Sequence, residues 1–380
     1  MPLLYWALPA TPDPVAMSAA HIVIPPADLT AFVAAIVAAA GSAPREAELV
    51  STNLVLANLS GHDSHGVGLV PAYVEFVKGG GLLANQHAKL TSDTGALLMI
   101  DGCKGYGQVI GHEAMQLGIA RARAHGMALV ALRNSHHIGR IGQWAEDCAA
   151  AGLVSIHFVN ALLRPLVAPF GGSDARFATN PFCVGVPRAS APPVILDFAT
   201  SRIALGKVRV AMQSEREVAP GTLIDGRGFA TNDPHVMFEA DATGRLGAIL
   251  PFGEHKGYGM ALICEILGGA LSGGETLHGS EALTGIYNNM LSIVIDPARL
   301  GAASFGREME AFIDWVRASP AAPGFDRVRI AGEPELEMRA HRAAGIPIDV
   351  NTWADMQAAA ASAGLAPAGI ARFAGLARPA

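Results

Sequence analysis

Two histidine clusters carry the strongest chemical signal in the chain. The segment GHDSHG (Gly61 to Gly66) places His62 and His65 three residues apart, with Asp63 and Ser64 between them and glycine on either side. The segment RNSHHIGRIG (Arg133 to Gly142) sets His136 and His137 directly after the apolar run MALVALR. Imidazole gains and loses a proton near neutral pH, which suits general acid–base catalysis. A single histidine reads equally well as a hydrogen-bonded structural residue; two glycine-framed clusters, each at the end of an element, favour chemistry. A metal is the competing use, because His62, His65, His136 and His137 all offer imidazole ligands. Neighbours on a strand point to opposite faces, so His136 and His137 do not suit one ion. No cysteine pair or H-E-x-x-H motif completes a set. The site is therefore read without a metal, with a His–metal hydrolase or lyase as the alternative from another class.

Three further segments are candidates. Asp197 ends the run VILD, where a carboxylate can orient an imidazole, accept from a ribose hydroxyl, or cap the following helix. Lys256 stands in PFGEHKGYG at the entrance of an apolar helix, which fits a phosphate or carboxylate, or a plain solvated lysine. Asn180-Pro181 in ATNPFCVGVP reads first as a turn ahead of a strand. Several familiar signatures are missing: G-x-G-x-x-G after a strand, the P-loop, and the G-x-S-x-G of serine hydrolases. GCKGYGQVIG (Gly102 to Gly111) has its glycines at the wrong spacing for a dinucleotide loop.

These residues need elements to hold them. After Pro26, two helices separated by Gly41 to Pro44 are expected, the first capped by Asp28. Strand-like runs follow between His87 and Asp101, turning at Thr94-Gly95. A helix is predicted over Gly111 to His125, a buried strand over Met127 to Arg133, a helix over Gly142 to Ala151 and a strand over Leu153 to Val159. Further strands are expected at Pro193 to Leu196 and Ser292 to Ile295, and a long apolar helix ends at Leu271. Helical patterns return from Met309. The alternation in the middle implies an α/β layer, flanked by helices from both ends. We divide the chain into a disordered extension (1–16), an N-terminal helical part (17–78), a central α/β domain (79–300) and a C-terminal helical part (301–380) that packs with the N-terminal one. Met17 reads as an alternative start.

Composition narrows the function classes. Net charge is −6, with no basic run to meet a phosphate backbone, so nucleic acid is not an expected partner. Only 16% of residues are charged and 51% are hydrophobic, which points to an oligomer hiding part of its surface. The cysteines Cys103, Cys148, Cys183 and Cys264 form no C-x-x-C pair, as in a reducing compartment. No segment reads as a membrane span or signal peptide, and a soluble cytoplasmic protein is expected.

Seven ordered blocks then carry a resemblance. LANLSGHDSHGVGLVPAYV, NSHHIGRIGQWAEDCAAAGLVSIHFVN, APFGGSDARFATNPFCVGVP, LDFATSRIALGKVRVA, HKGYGMALICEILGGALSGG, NNMLSIVIDPARLG and AGEPELEMRAHRAAGIPID together resemble the malate/L-lactate dehydrogenase family of the non-Rossmann type. The resemblance runs from about Met17 to Phe373. SHHIGRIG and VSIHFV are most similar to its hydroxycarboxylate dehydrogenase B branch.

The resemblance implies a sulfolactate dehydrogenase-like fold that binds NAD or NADP without the glycine fingerprint, and a homodimer. The implied activity is hydride transfer between nicotinamide and a small 2-hydroxy or 2-oxo acid; reduction of a cyclic imine carboxylate is the alternative. It places the catalytic histidine at His65 with Ser64 beside it, and a second at His137. It places cofactor contacts at Gly139, Arg140, Ile141, Ile195, Leu196, Asp197, Phe198, Ala199, His255, Lys256, Asn288, Gly332, Glu333, Pro334 and Glu335, with His65 also near the cofactor. We expect His65 to be oriented by Ser64 or Asp197. Many members carry Arg four residues after the motif histidine, suited to a substrate carboxylate; here that residue is Leu69. The carboxylate must then meet Arg140 or backbone donors, and a bulkier 2-oxo acid is favoured.

Overall fold

The computed structural model describes residues 21–213, 215–279, 284–375 and 378–379; the extension expected at 1–16 and the start at Met17 lie outside them. The chain opens with β1 (His21–Ile24), α1 (Pro26–Ala39) and α2 (Pro44–Leu59). Two 3₁₀ turns, Asp63–His65 and Val67–Leu69, then lead into α3 (Val70–Lys78). Leu29, Phe32, Val33, Ile36 and Val37 recur at helical spacing along α1 and are all buried. Asp28 does not cap this helix: the cap position is held by Pro25, and Asp28 lies three residues further on, inside the first turn.

The middle of the chain supplies β2 (Lys89–Asp93), β3 (Leu97–Asp101), α4 (Gly107–His125), β4 (Met127–His136), α5 (Gly142–Ala150), β5 (Val154–Leu162), β6 (Phe182–Val186) and β7 (Val194–Phe198). There follow α6 (Leu205–Gln213), the short strands β8 (Leu223–Ile224), β9 (Ala230–Thr231) and β10 (Ala248–Ile249), and α7 (His255–Cys264). A π-helical run, Glu265–Leu271, extends α7, and β11 (Tyr287–Ile295) returns to the sheet. The C-terminal part holds α8 (Phe305–Arg317), α9 (Glu333–His341), β12 (Ile346–Asp349), α10 (Val350–Ser362), α11 (Pro367–Ala374) and β13 (Arg378–Pro379).

The architecture is α/β. Seven strands form one sheet in the order β2-β3-β4-β11-β5-β6-β7. Only β3 and β4 pair in parallel, joined by the crossover helix α4; the other neighbours are antiparallel. One apolar core lies between the sheet, α4 and α5, centred on Ile110, Val130, Leu132, Trp144 and Met290. A second joins the two ends of the chain: β1 sits between β12 and β13, and Phe32 packs on Trp353 and Phe373 at 4.9 and 5.0 Å. A third, smaller core lies under the excursion containing β8, β9 and β10.

Several expected bounds shift. The helix expected from Gly111 starts at Gly107, and the strand expected to end at Arg133 runs to His136. The two later strands are Val194–Phe198 and Tyr287–Ile295, the second much longer because it is flanked by β4 and β5 on both sides.

Candidate active site

The site forms where the terminal helical layer meets the ends of β4 and β7. At the close of α2, buried Asn58 ties the GHDSHG turn together: its Oδ1 accepts from the Val67 N–H at 2.8 Å and its Nδ2 donates to Asp63 at 2.6 Å. A Cβ on Gly66 would overlap the Asn58 amide, so only glycine lets the turn sit against that side chain. From the C-terminal side, α9 straps the same turn, with Arg342 donating to both Asp63 oxygens and Glu335 3.2 Å from His62 Nε2.

Within this turn Ser64 Oγ lies 2.9 Å from His65 Nδ1. The His65 ring stacks on that of His137, with centroids 5.6 Å apart and planes inclined by 26°. His137 follows the last residue of β4, and its Nδ1 lies 2.7 Å from the Tyr73 hydroxyl on α3. Burial holds the His65 pKa down to about 4, with the charges of His62 and Arg140 adding to the effect. Burial also drives His137 well below the ordinary imidazole value, reinforced by His65 and His136. Both shifts favour the neutral form of the two stacked imidazoles.

His136 points the other way, as its strand position requires. It is fully buried among the rings of Tyr73, Phe76 and Tyr287, and neither ring nitrogen has a hydrogen-bond partner.

The loop after His137 leads to α5. Asn288, at the start of β11, accepts from the Ile138 N–H at 3.0 Å and donates to the Asn160 carbonyl at 3.0 Å, so it braces this loop. Arg140 is 3% exposed; its Nη2 donates to Glu146 at 2.7 Å, while its Nη1 has no hydrogen-bond partner and lies 3.8 Å from Asp197. Asp197 accepts from the Gly142 N–H at 2.8 Å. Gly142 opens α5, so Asp197 caps a helix N-terminus distant in sequence. It does not orient His65 through a hydrogen bond; Ser64 holds that position. Burial pushes the Asp197 carboxyl up, against the opposing pull of His62 and Arg140. Burial also acts to raise Glu335, but its bond to His62 and the nearby charges outweigh this, and the net shift is downward.

Ile195 and Gly332 meet directly: the Ile195 N–H donates to the Ala331 carbonyl at 3.1 Å. They line a cavity of about 380 Å³ with Arg188, Leu336 and Arg339. That is within the range of small-molecule sites, about 300–1,000 Å³. Leu196 is exposed, Phe198 packs between Phe182 and Phe252, and Ala199 follows at the strand end. Pro334 lies in the first turn of α9, and Glu333 is bound by Arg317 and Arg327. His255 and Lys256 are exposed at the start of α7, with His255 against Phe170 at 6.0 Å. They share no bond with the His65–His137 pair. A larger depression of about 630 Å³, beside His87, His112 and Glu113, contains none of these residues. Among the described residues no three His, Cys, Asp or Glu side chains converge as a metal site.

Reasoning from sequence missed Asn58, Tyr73 and Gln108, which support the histidines. It also missed the acid–amide hub formed by Glu265 with Asn160 and Asn180. The spacing of Asn58 and Tyr73 on either side of GHDSHG is visible in the sequence, but nothing in it marks them as partners of His65 or His137.

Solved structures with the same architecture include several dehydrogenases and a Δ1-piperideine-2-carboxylate reductase. One described as a malate/lactate dehydrogenase from Escherichia coli superposes with a TM-score of 0.89 at 47% identity, covering 93% of this chain and 98% of that one. Sulfolactate dehydrogenase from Methanocaldococcus jannaschii superposes with a TM-score of 0.80 at 30% identity, covering 90% of this chain and 98% of its own. The fold is thus sulfolactate dehydrogenase-like. In sequence, hydroxycarboxylate dehydrogenase B of Escherichia coli K12 is 50% identical over 86% of this chain and 90% of that protein. The family model for malate/L-lactate dehydrogenase matches residues 24–357. This chain belongs to that family of oxidoreductases, and its relatives are named for malate, lactate, sulfolactate and, in one case, a cyclic imine carboxylate.

Proposed function

We propose that the protein is an NAD(P)-dependent 2-hydroxycarboxylate dehydrogenase, or 2-oxo acid reductase in the reverse direction, with His65 as acid/base. The observation that supports this best is the His65–His137 stack, braced by Ser64 and Tyr73. The surroundings suit a dinucleotide: a cavity bordered by Ile195 and Gly332, two arginines on its wall, and the buried unpartnered Arg140 Nη1. Gly139, Arg140, Ile141, Ile195, Asp197, Gly332 and Glu335 would hold it. Bound nicotinamide supplies or accepts the hydride.

The chain's own residues handle the proton. Ser64 engages His65 Nδ1, leaving Nε2 to face the substrate. Neutral His65 takes the hydroxyl proton as the alcohol is oxidised, and its imidazolium returns it when the oxo acid is reduced. Leu69 offers the substrate carboxylate no cation, which favours substrates with larger apolar groups.

A homodimer and a cytoplasmic location belong to the same reading. Leu262, Ile263, Ile266 and Leu271 form an exposed apolar face along α7 and its π-helical extension. Such a face fits a second copy of a chain so poor in surface charge. The four free cysteines, three of them buried, suit a reducing compartment.

The test is NADH and NADPH oxidation, followed by absorbance, with pyruvate, oxaloacetate, 2-oxoglutarate, phenylpyruvate and piperideine-2-carboxylate, with and without chelator. Chelator-insensitive turnover of an oxo acid is expected. Turnover of the imine alone would replace the substrate class, and silence with both cofactors would refute hydride transfer. His65→Ala should lower turnover at least ~10²-fold with the fold intact.

A further inference from the structure

Tyr73 is 1% exposed and has two polar neighbours. Its hydroxyl lies 2.7 Å from His137 Nδ1 and receives a hydrogen bond from Gln108 Nε2 at 2.9 Å. Gln108 is also 1% exposed, and its Oε1 has no partner. The three side chains come from α3, the first turn of α4 and the residue after β4. They meet because α4 starts on glycine: a Cβ on Gly107 would overlap the carbonyl groups of His136 and His137.

Proton counting fixes the direction of the chain. A tyrosine hydroxyl has one proton to give. With Gln108 donating to it, that proton goes to His137 Nδ1. Reversing the amide would make Tyr73 the donor to Gln108 and leave both amide N–H groups buried without acceptors. Orphaned buried N–H groups are rarer than under-satisfied carbonyl oxygens, so the first arrangement is favoured. A neutral imidazole that accepts at Nδ1 carries its proton on Nε2.

We propose that Tyr73 and Gln108 are positioning residues that hold His137 as the Nε2–H tautomer, making it an uncharged hydrogen-bond donor to the reacting oxygen of the substrate. This rests on the hydride-transfer reading of the site and divides the labour between the two imidazoles. In the reductive direction the carbonyl carbon accepts the hydride and the π pair moves to oxygen. The oxygen takes its proton from the His65 imidazolium. His137 keeps its Nε2 proton throughout, because losing it would leave an imidazolate. Its contribution is to stabilise the negative charge growing on that oxygen. His65 and His137 stack too closely for both to be charged, which is consistent with one proton carrier and one neutral donor.

The test begins with the ligand-free full-length protein. Histidine is labelled with ¹⁵N, and long-range ¹H–¹⁵N correlation reads the tautomer of His137, assigned by its disappearance in His137→Gln. The expected result is an unprotonated Nδ1 and a protonated Nε2. Gln108→Glu presents only acceptors to the hydroxyl, so it should turn Tyr73 around and move the His137 proton to Nδ1. Tyr73→Phe should give a mixture of tautomers and lower kcat by about 10- to 100-fold with KM changed less than about twofold, the pattern of a lost transition-state donor. A wild-type protein with its proton on Nδ1 would overturn the proposal. So would Tyr73→Phe with both the wild-type tautomer and the wild-type kcat. A correct tautomer in a protein that reduces neither oxo acid nor imine would overturn the donor role together with hydride transfer, while leaving the proton assignment standing.

Discussion

Acid should destabilise this protein well before its carboxylates titrate, because burial lowers the pKa values of four histidines, and His136 and His157 alone set a lower bound on the effect. His136 and His157 are both fully buried. Burial holds each pKa down to about 3, against an ordinary 6.5. His157 is hydrogen-bonded at both ring nitrogens, with Ser292 Oγ 2.8 Å from Nδ1 and Ser155 Oγ 3.0 Å from Nε2, and burial alone disfavours its charged form. His136 has no acceptor for even one proton. In the unfolded chain both bind a proton below about pH 6.5, whereas the folded chain refuses it until about pH 3. The unfolded state therefore binds more protons across that interval, and stability falls as the pH falls. Between pH 8 and pH 5 each site should remove about 2 kcal/mol, roughly 4 kcal/mol for the pair, from a total that for most proteins is about 5–15 kcal/mol.

Other groups modify the slope without reversing it. Exposed His87 and His235 are held above 6.5 by hydrogen bonds to Glu113 and Asp233, so they favour the folded state as the pH drops, but solvent screens them. Asp147 and Asp197, which burial pushes up, also oppose the effect at the lower end. The assay is urea unfolding followed by tryptophan fluorescence at a series of pH values from 8 to 5, at one protein concentration. His136→Leu removes one titrating group from an aromatic box that makes no hydrogen bond to it. It should cut the loss between pH 8 and pH 5 by about 2 kcal/mol, whatever it does to stability at pH 8. A wild-type curve flat over this interval, or an equal slope in the variant, would refute the argument.

Three further outcomes follow from the geometry. Gly66→Ala should displace Asn58 and loosen the turn that carries Ser64 and His65, lowering kcat by tenfold or more and stability by about 1–3 kcal/mol; paired kinetics and urea melts check it. Glu265→Leu strips the Asn160 and Asn180 side chains of a buried acceptor and should cost about 3 kcal/mol or more, read from the urea midpoint. Ile263→Glu combined with Ile266→Lys should convert a dimer to a monomer in sedimentation velocity; an unchanged sedimentation coefficient would place the interface elsewhere.

Periodicity revealed the elements with one-sided or wholly apolar patterns. The run MALVALR became the buried heart of β4, and α1 shows its apolar stripe directly in ADLTAFVAAIVAA. It could not show that β4 continues through the polar residues Asn134 to His136, because their burial comes from β11 on one side and α3 on the other. Asp28 was misjudged for a local reason: Pro25 and Pro26 start the helix without a side-chain cap. For Asp197 the helix it caps is distant in sequence and could not be read there. Its partner is the N-terminus of α5, about 55 residues away, and only the packing of α5 on β7 brings the two together.

The missing glycine fingerprint has a structural cause in the sheet itself. A Rossmann site needs parallel strands that deliver helix N-termini to one edge at a change of strand order. Here all seven strands of the sheet have an antiparallel neighbour on at least one side, and β3–β4 is its lone parallel pair. One such crossover cannot make the paired βαβ halves that cradle a dinucleotide. The N-terminus of α5, on the loop that follows His137, is already occupied by Asp197. A phosphate there would have to displace a carboxylate. On the proposed reading, what binds beside His65 is held mainly by the loop after His137 and by the junction of the two chain ends, through α9, Glu335 and Gly332. What was legible is that histidines from two glycine-framed segments belong together, and His65 and His137 do stack. The tautomer proposed for His137 would depend on Tyr73 and Gln108, two ordinary residues whose meeting only the packing of α3 and α4 decides.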